Sequence, residues 1–529
     1  MGFAPPTPRE ILLIFLLLAS LYVIFIWETH REQFLPVPFQ SNSLKDSVQS
    51  AASQEQEQEL QVYQTRVSWE HPKAPVPQTR IIAHVPGWSI IDHLYIFKGV
   101  VYIVSDVPSS IPNVSAIYSK GIDIELGREA ELARLPDDTD IRVISTGQAR
   151  RLFGKGAQFL DGVTILVNDP PQFVRHYYHW AAELFFGLWR TYSSLDPSIP
   201  ASGRPTSLPP PRRMWFPRLD AFRWRDYSFM NQYILRASFP ALTMEFVDDW
   251  DDRRNMGVPW VLERVVVADR SAAMMALNYQ RYQRTAASAF GLGRGSASWW
   301  MVIRGNVVRF AGMEEEEAEG EAGAGAVAEG ASKANAIVIT YISRQEWGRR
   351  MLIQQDHEKL VRELRKLERV YGWEVNVVMA EKMTRLEQLR LAARTTIMMG
   401  VHGNGLTNLV WMKPNARSTV MEFFYPGKAL SDTFSFCSFL LYAGGFAHDY
   451  EYTTRALGMT HYGFWNDVAF TSPDLPLPSY PEGFQGRFIA PCYSSLMFLV
   501  VGNSIPLDGE AVAALCIQRL TLEEEVDDG

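Results

Sequence analysis

From Ala336 to Phe424 short apolar runs alternate with helical periodicities, and that rhythm restricts the fold more than any other feature of the chain. AIVITYIS (336–343) precedes a helical pattern, QQDHEKLVRELRKLERVYG, that stops at Gly372. WEVNVVM, TRLEQLRLAAR, TTIMMG, LTNLVWM and STVMEFF follow as strand, helix, strand, helix start and strand. Strands separated by helices are joined by right-handed crossovers and lie parallel, so this half predicts a doubly wound α/β domain. Such sheets take ligands beyond the carboxyl ends of their strands.

One of those ends carries distinctive chemistry. In GVHGNGLTNLVWMKP (400–414), Gly400, Gly403 and Gly405 would let the backbone turn sharply and approach a ligand with no Cβ in the way. A helix starting in LTNLVWM (406–412) would aim free N–H groups and a positive dipole end at the same point. A diphosphate suits that setting, with His402 placed to hydrogen bond an oxygen of a leaving group. A tight turn around a packed histidine would use similar residues. ISRQEWGRR (342–350) favours the anion, because it sets Arg344 and Arg349 at the end of another strand of the same sheet. Glu422, in the apolar run VMEFF, is expected to accept hydrogen bonds from ribose hydroxyls.

The preceding half reads differently. LYIFKGVVYIV (94–104) predicts a hairpin, GVTILV (162–167) a buried strand and ERVVVADR (263–270) another strand. Between them VRHYYHWAAELFFGLWRTY predicts a helix that PTSLPPPRRMWFP (205–217) ends, with RMWF opening a new strand. His179 and Glu183 are four apart and share a helical face, with His176 one turn earlier. Glu183 is the candidate general base; a buried His–Glu pair that orients the helix is the alternative. His176 is expected to contact ligand or pack, since no third metal ligand accompanies it. DDWDD (248–252) contains Asp-x-Asp, a spacing that can hold a metal ion against a diphosphate, but no glycine-rich segment supports it and it reads as a solvated acidic loop. Arginines and helix N-termini can hold the anion, so no metal or other cofactor is required.

ILLIFLLLASLYVIFIW (11–27) is uncharged and just long enough to span a bilayer. With no evident cleavage site it predicts a signal anchor, residues 1–10 in the cytosol and the remainder in the lumen; a cleaved signal peptide is the alternative. Residues 28–80 are polar, Gln-rich and then Pro-rich, as a stem would be. Asn113-Val114-Ser115 would then meet the glycosylation machinery. Residues 313–336 are acidic and Gly/Ala-rich, the composition of a surface insertion. The 529 residues exceed one ordinary domain, and a net charge of −8 without a basic stripe excludes nucleic acid as the expected partner. Cys437, Cys492 and Cys516 lack zinc spacing and allow at most one disulfide.

GVHGNGLTNLVWMKPNA, ISRQEWGRRML and YYHWAAELFFGLW, in their order along the chain, resemble glycosyltransferase family 61. Asn404 departs from the family's usual Ala, and MLIQQ replaces a common Asn. The resemblance implies a type II membrane enzyme with two Rossmann-like domains facing a cleft (the GT-B architecture). It implies an inverting mechanism and a UDP-sugar donor, with a glycan or glycoprotein acceptor in the endoplasmic reticulum or Golgi. The acceptor-side domain would span 81–290, the nucleotide-sugar domain 291–500 and a tail 501–529. Two other classes stay open: a membrane-anchored lectin or adaptor that kept the fold without turnover, and a metal-dependent transferase using DDWDD.

Overall fold

Extended segments rich in β-branched and aromatic residues build two sheets, and the connections between their strands decide where a ligand can sit. The computed structural model describes residues 65–313 apart from Pro72 and Leu126, together with 337–424, 449–471 and 504–521. The expected anchor, nearly all of the stem and the acidic insertion fall outside these residues, as do Cys437 and Cys492. Cys516 is a buried free thiol. Among the described residues no helix is long and apolar enough to cross a membrane.

Among the described residues the first sheet holds nine strands: β1 (Arg66–Ser68), β2 (Arg80–Val85), β3 (Trp88–Phe97), β4 (Val100–Val104), β5 (Ile141–Ile144), β6 (Gly156–Val167), β7 (Arg213–Trp215), β8 (Thr243–Glu245) and β9 (Trp260–Ala268). Their order is β5-β4-β3-β9-β6-β7-β8, with β1 added to β6 and β2 to β3. The hairpin read from LYIFKGVVYIV is β3–β4, closed by Lys98 at φ 53° and Gly99 at φ 79°, the left-handed pair of a two-residue turn. This sheet departs from the expected Rossmann-like pattern. β2, β3 and β4 pair antiparallel, while β9, β6, β7 and β8 run parallel. Hairpins need no crossover helix, so β2–β4 are added at the flank of the parallel core. Within that core β6 is followed spatially by β7 on one side and by β9 on the other, which makes the β6/β9 boundary a topological switch point.

The second sheet matches the predicted rhythm. It contains β10 (Val338–Ile342), β11 (Glu374–Val378), β12 (Ile397–Val401), β13 (Thr419–Phe423), β14 (Thr460–Trp465) and β15 (Val468–Phe470) in the order β11-β10-β12-β13-β14-β15. All pairs are parallel except β14–β15. The helix Gln354–Tyr371 buries Leu360, Leu364 and Leu367 and ends at Gly372, whose φ of 70° suits a left-handed cap. Thr384 and Glu387 form a capping box that starts the helix Arg385–Arg394. β10, β12 and β13 are buried along their whole length. Here the order reverses between β10 and β12, a second switch point.

The two sheets share an apolar core. Trp180, Phe185 and Phe186 from the first half pack in one cluster with Leu406, Leu409 and Trp411 from the second. Trp300 stacks on Trp411 with ring centroids 5.9 Å apart, and its indole N–H donates to the Val410 carbonyl at 2.7 Å. Arg304 adds hydrogen bonds to the carbonyls of Trp411 and Met412, each at 3.0 Å.

Candidate active site

The residues beyond β10 and β12 form one wall. After Ile342 the chain leaves the sheet at Ser343 and Arg344; after Val401 it passes through His402 and Gly403 into a 3-10 helix, Asn404–Trp411, where the sequence predicts a helix start. The glycines serve close approach and not a reversed backbone. A Cβ on Gly400 would stand 2.9 Å from the Ile342 carbonyl oxygen, and one on Gly405 3.0 Å from the Ile342 side chain. One on Gly403 would strike the Arg344 guanidinium, whose central carbon would be 3.0 Å away. The turn is therefore shaped to let Arg344 lie against it.

Arg344 is a charged group held in poor solvent. Burial, together with the charge of neighbouring Arg350, lowers its pKa to about 10, and its Nε is a buried donor without a hydrogen-bond partner. Arg350, at φ 54°, is pushed down in the same way by burial and then by Arg349. Arg349, the expected second ligand, is exposed, while Arg350 turns inward. Three arginines this close repel one another, and an anion between them would relieve both the repulsion and the missing hydrogen bond of Arg344.

Behind the turn His402 is buried, 6% exposed, and its Nδ1 bonds Oε1 of Glu422. Oε2 of Glu422 bonds Nε2 of His461 at 3.0 Å. Glu422 is 0% exposed and both oxygens are engaged by histidines, so it backs His402 and is not open to a ribose. Burial, with Asp449 and Glu451 nearby, pushes the Glu422 carboxyl well up; burial, then Arg350 and Arg344, pushes His402 well down. Both lean toward their uncharged forms, a hydrogen-bonded neutral unit.

The opposite wall stands on the carboxyl ends of β6 and β9. Chain leaving β6 forms a helix that runs as a π-helix over His179–Phe185 and as an α-helix over Phe186–Ser193. His179 Nδ1 bonds Glu183 at 2.7 Å, and the His176 ring lies 5.0 Å from that of His179. Glu183 is buried, which by itself would raise its pKa, but His179, Arg284 and Arg270 outweigh burial and hold it at about 2. Arg270 and Arg284 approach its carboxylate at 3.6 and 3.7 Å. Arg270 is fixed by the Asp169 carboxylate and by the His179 carbonyl, the latter at 2.8 Å. His179 is the more exposed of the pair, 25% against 9% for the side chains. Burial and the adjacent His179 lower His176 to about 4, and its Nδ1 is buried without a partner.

Direct bonds join the two walls. Asn404 Oδ1 accepts from the Tyr178 N–H at 3.2 Å, Asn408 Oδ1 accepts from the Tyr177 hydroxyl at 3.0 Å, and the Tyr178 hydroxyl donates to the Asp449 carbonyl at 2.9 Å. Arg284 pairs with Asp449, and the Tyr450 hydroxyl donates to the Gly403 carbonyl at 2.8 Å. The two switch points thus open onto one site.

Of the residues that the sequence singles out, His176, His179, Glu183, Arg344, His402 and Asn404 meet here. Arg270, Arg284, Arg350, Asp449, Tyr450 and His461 join them without having been expected. Arg350 and Arg270 lie within motifs that the sequence marks; Arg284 and Asp449 carry no local signal, because their pairing spans 165 residues that only the fold brings together. DDWDD is not a loop. It lies in the helix Val247–Met256, where Asp249 bonds the Phe246 N–H and Arg253 and Arg254 fill the last turn, a charge order that suits the helix dipole. Among the described residues no group of three His, Cys, Asp or Glu side chains could hold a metal ion. A cavity of about 1200 Å³ lies elsewhere: Arg204, Arg212, Arg236 and Arg309 line it at the amino ends of β7 and β8. The paired acids and bases are instead at the carboxyl ends.

No curated protein matches the chain. Residues 165–420 match the family described as Glycosyltransferase 61. That span runs from β6 to β13 and takes in both switch points, Arg344, the glycine turn and the His179–Glu183 pair: this stretch of the chain belongs to glycosyltransferase family 61, a family of glycosyltransferases.

Proposed function

We propose that the protein transfers a sugar with inversion from a UDP-sugar to a glycan or glycoprotein hydroxyl, using a two-domain GT-B-like arrangement, in the lumen of the secretory pathway. The observation that carries this reading is the buried, unpartnered Nε of Arg344 against the glycine turn, opposite the His179–Glu183 pair. Arg344 and Arg350 would bind the diphosphate, and the turn at Gly403 would let it approach. Their charge would stabilise the departing UDP without a metal.

Inversion requires one base on the acceptor side. The sequence points first to Glu183, but a carboxylate flanked by the two buried arginines Arg270 and Arg284 is a poor proton acceptor. An imidazole is better matched to neutral pH, and His179 is the more exposed partner. In this reading His179 Nε2 takes the acceptor proton as the oxygen attacks the anomeric carbon, while the bond to UDP breaks on the opposite face. Glu183 holds Nδ1 and stabilises the imidazolium that forms, a positioning role. Xylose and N-acetylglucosamine are the donor sugars to try first. The span 11–27 would anchor the enzyme, with exposed Asn113 in the lumen.

The test is release and transfer of sugar from a panel of UDP-sugars by full-length protein in detergent, with and without EDTA. Turnover that persists in EDTA supports the reading. UDP binding with no turnover on any donor or acceptor would favour a lectin-like role, and turnover abolished by EDTA would remove the arginine-only account of the leaving group.

A further inference from the structure

The loop 217–230 connects β7 to the helix Asn231–Ser238, and it leaves three aromatic side chains in water: Phe222 is 84% exposed, Tyr227 71% and Phe229 51%. Large aromatic groups are rarely left out together on one short loop without a use. The loop is well fixed. Asp226 is buried and accepts from the N–H groups of Ser228 at 3.0 Å and Asn231 at 2.8 Å. The Asn231 amide in turn donates to the carbonyls of Val174 at 3.0 Å and Trp224 at 2.9 Å. The exposed rings therefore stand on a rigid base.

Two of the rings are backed by arginines from opposite walls of the site. The Arg175 guanidinium lies 4.9 Å from the Tyr227 ring centroid, and the Tyr227 N–H donates to the Arg175 carbonyl at 3.2 Å. The Arg385 guanidinium lies 5.6 Å from the Phe229 ring centroid, while its Nε donates to the Ser228 carbonyl at 3.2 Å. Arg175 immediately precedes His176 and stands four residues before His179. The loop itself follows the carboxyl end of β7, the same end of the sheet as the reacting groups.

The chemistry of this surface selects its occupant. A pyranose ring offers a flat C–H face to an aromatic ring and a rim of hydroxyls to arginine N–H groups, and it needs no aliphatic pocket. The exposed large apolar side chains of this loop are all aromatic. Aromatic and arginine side chains also serve protein interfaces, but this loop stands at the end of the sheet that holds the reacting groups, where the acceptor must arrive. We propose that Tyr227 and Phe229, with Arg175 and Arg385 behind them, form the seat of a neutral oligosaccharide acceptor that leads one hydroxyl toward His179. The proposal rests on the transfer reading above and specifies its acceptor.

Saturation-transfer NMR on the full-length protein in detergent tests it, with UDP, xylohexaose, mannopentaose and an unglycosylated Ser/Thr-rich peptide as probes. At least one oligosaccharide should receive saturation at its ring C–H protons. Its affinity should fall by about tenfold or more in Tyr227→Ala and in Phe229→Ala and be largely kept in Tyr227→Trp, with UDP bound equally by all. Oligosaccharide binding unchanged in the alanine variants, or binding of the peptide alone, would overturn the proposal. So would loss of UDP together with the oligosaccharide in the alanine variants, since the rings would then be holding the fold. Failure of the wild-type protein to bind UDP at all would instead remove the transfer reading.

Discussion

At the residue scale most charged groups of the site are paired, as Arg284 is with Asp449 and Arg270 with Asp169, and Arg344 is the exception. Arg344 has a buried donor without an acceptor, and an anion is the simplest group to supply one. Arg344→Ala should therefore weaken UDP binding by about 1.5 to 3 kcal/mol, the range of a charge-assisted hydrogen bond. Arg349→Ala, altering an exposed side chain, should have a smaller effect; calorimetry that ranks them in reverse would put the diphosphate on the outer arginine. His179→Ala should leave UDP affinity intact while transfer falls by about 10² to 10⁴. Glu183→Gln should cost less in transfer but lower the melting temperature, because Arg270 and Arg284 lose the carboxylate between them. If Glu183→Gln instead equals or exceeds His179→Ala in lost transfer at unchanged melting temperature, the carboxylate is the base. His176 gives a pH test. Its folded pKa of about 4 lies below the ordinary 6.5, so its contribution is complete above 6.5 and is lost as pH falls toward 4. Wild-type protein should lose melting temperature more steeply over that window than His176→Asn; parallel curves would mean that His176 is not protonated on unfolding.

At the element scale the second sheet is legible in the sequence and the first only in part. β10 to β13 and their helices announce themselves because uninterrupted apolar runs and capped amphipathic helices each have one natural reading. The first sheet mixes hairpins with crossovers, and short strands such as β7 and β8, three residues each, carry too little periodicity to assign. The glycine turn stands out in the sequence for an incomplete reason. Its residue types suggest a sharp reversal, whereas the backbone needs room beside Arg344 and Ile342. Two substitutions separate these accounts. Gly400→Ala meets a backbone oxygen and should lower stability by about 1 to 3 kcal/mol. Gly403→Ala meets a side chain that can move aside, so melting should change little while UDP affinity falls. Equal losses of stability in both variants would mean that Gly403 is a structural position only. His461 is hidden in the sequence because β14 follows a stretch with no strong pattern, yet it completes the histidine pair around Glu422.

At the scale of the whole molecule, two sheets with different topologies present their switch points to each other and are locked by a common core and by bonds such as Tyr177 to Asn408. Neither wall has a complete set of groups: the arginines and turn come from one, the His179–Glu183 pair from the other. If residues 11–27 anchor the chain, the protein should remain with membranes after alkaline extraction and Asn113 should carry a glycan; a soluble product starting after residue 27 would mean a cleaved signal peptide. The central claim is that the donor nucleotide binds between the switch points. Hydrogen exchange of the full-length protein with and without UDP addresses it directly. Protection should appear at 343–350 and 402–411, with little change around Arg204 and Arg236. Protection centred on that arginine-lined cavity, with none at the glycine turn, would contradict it.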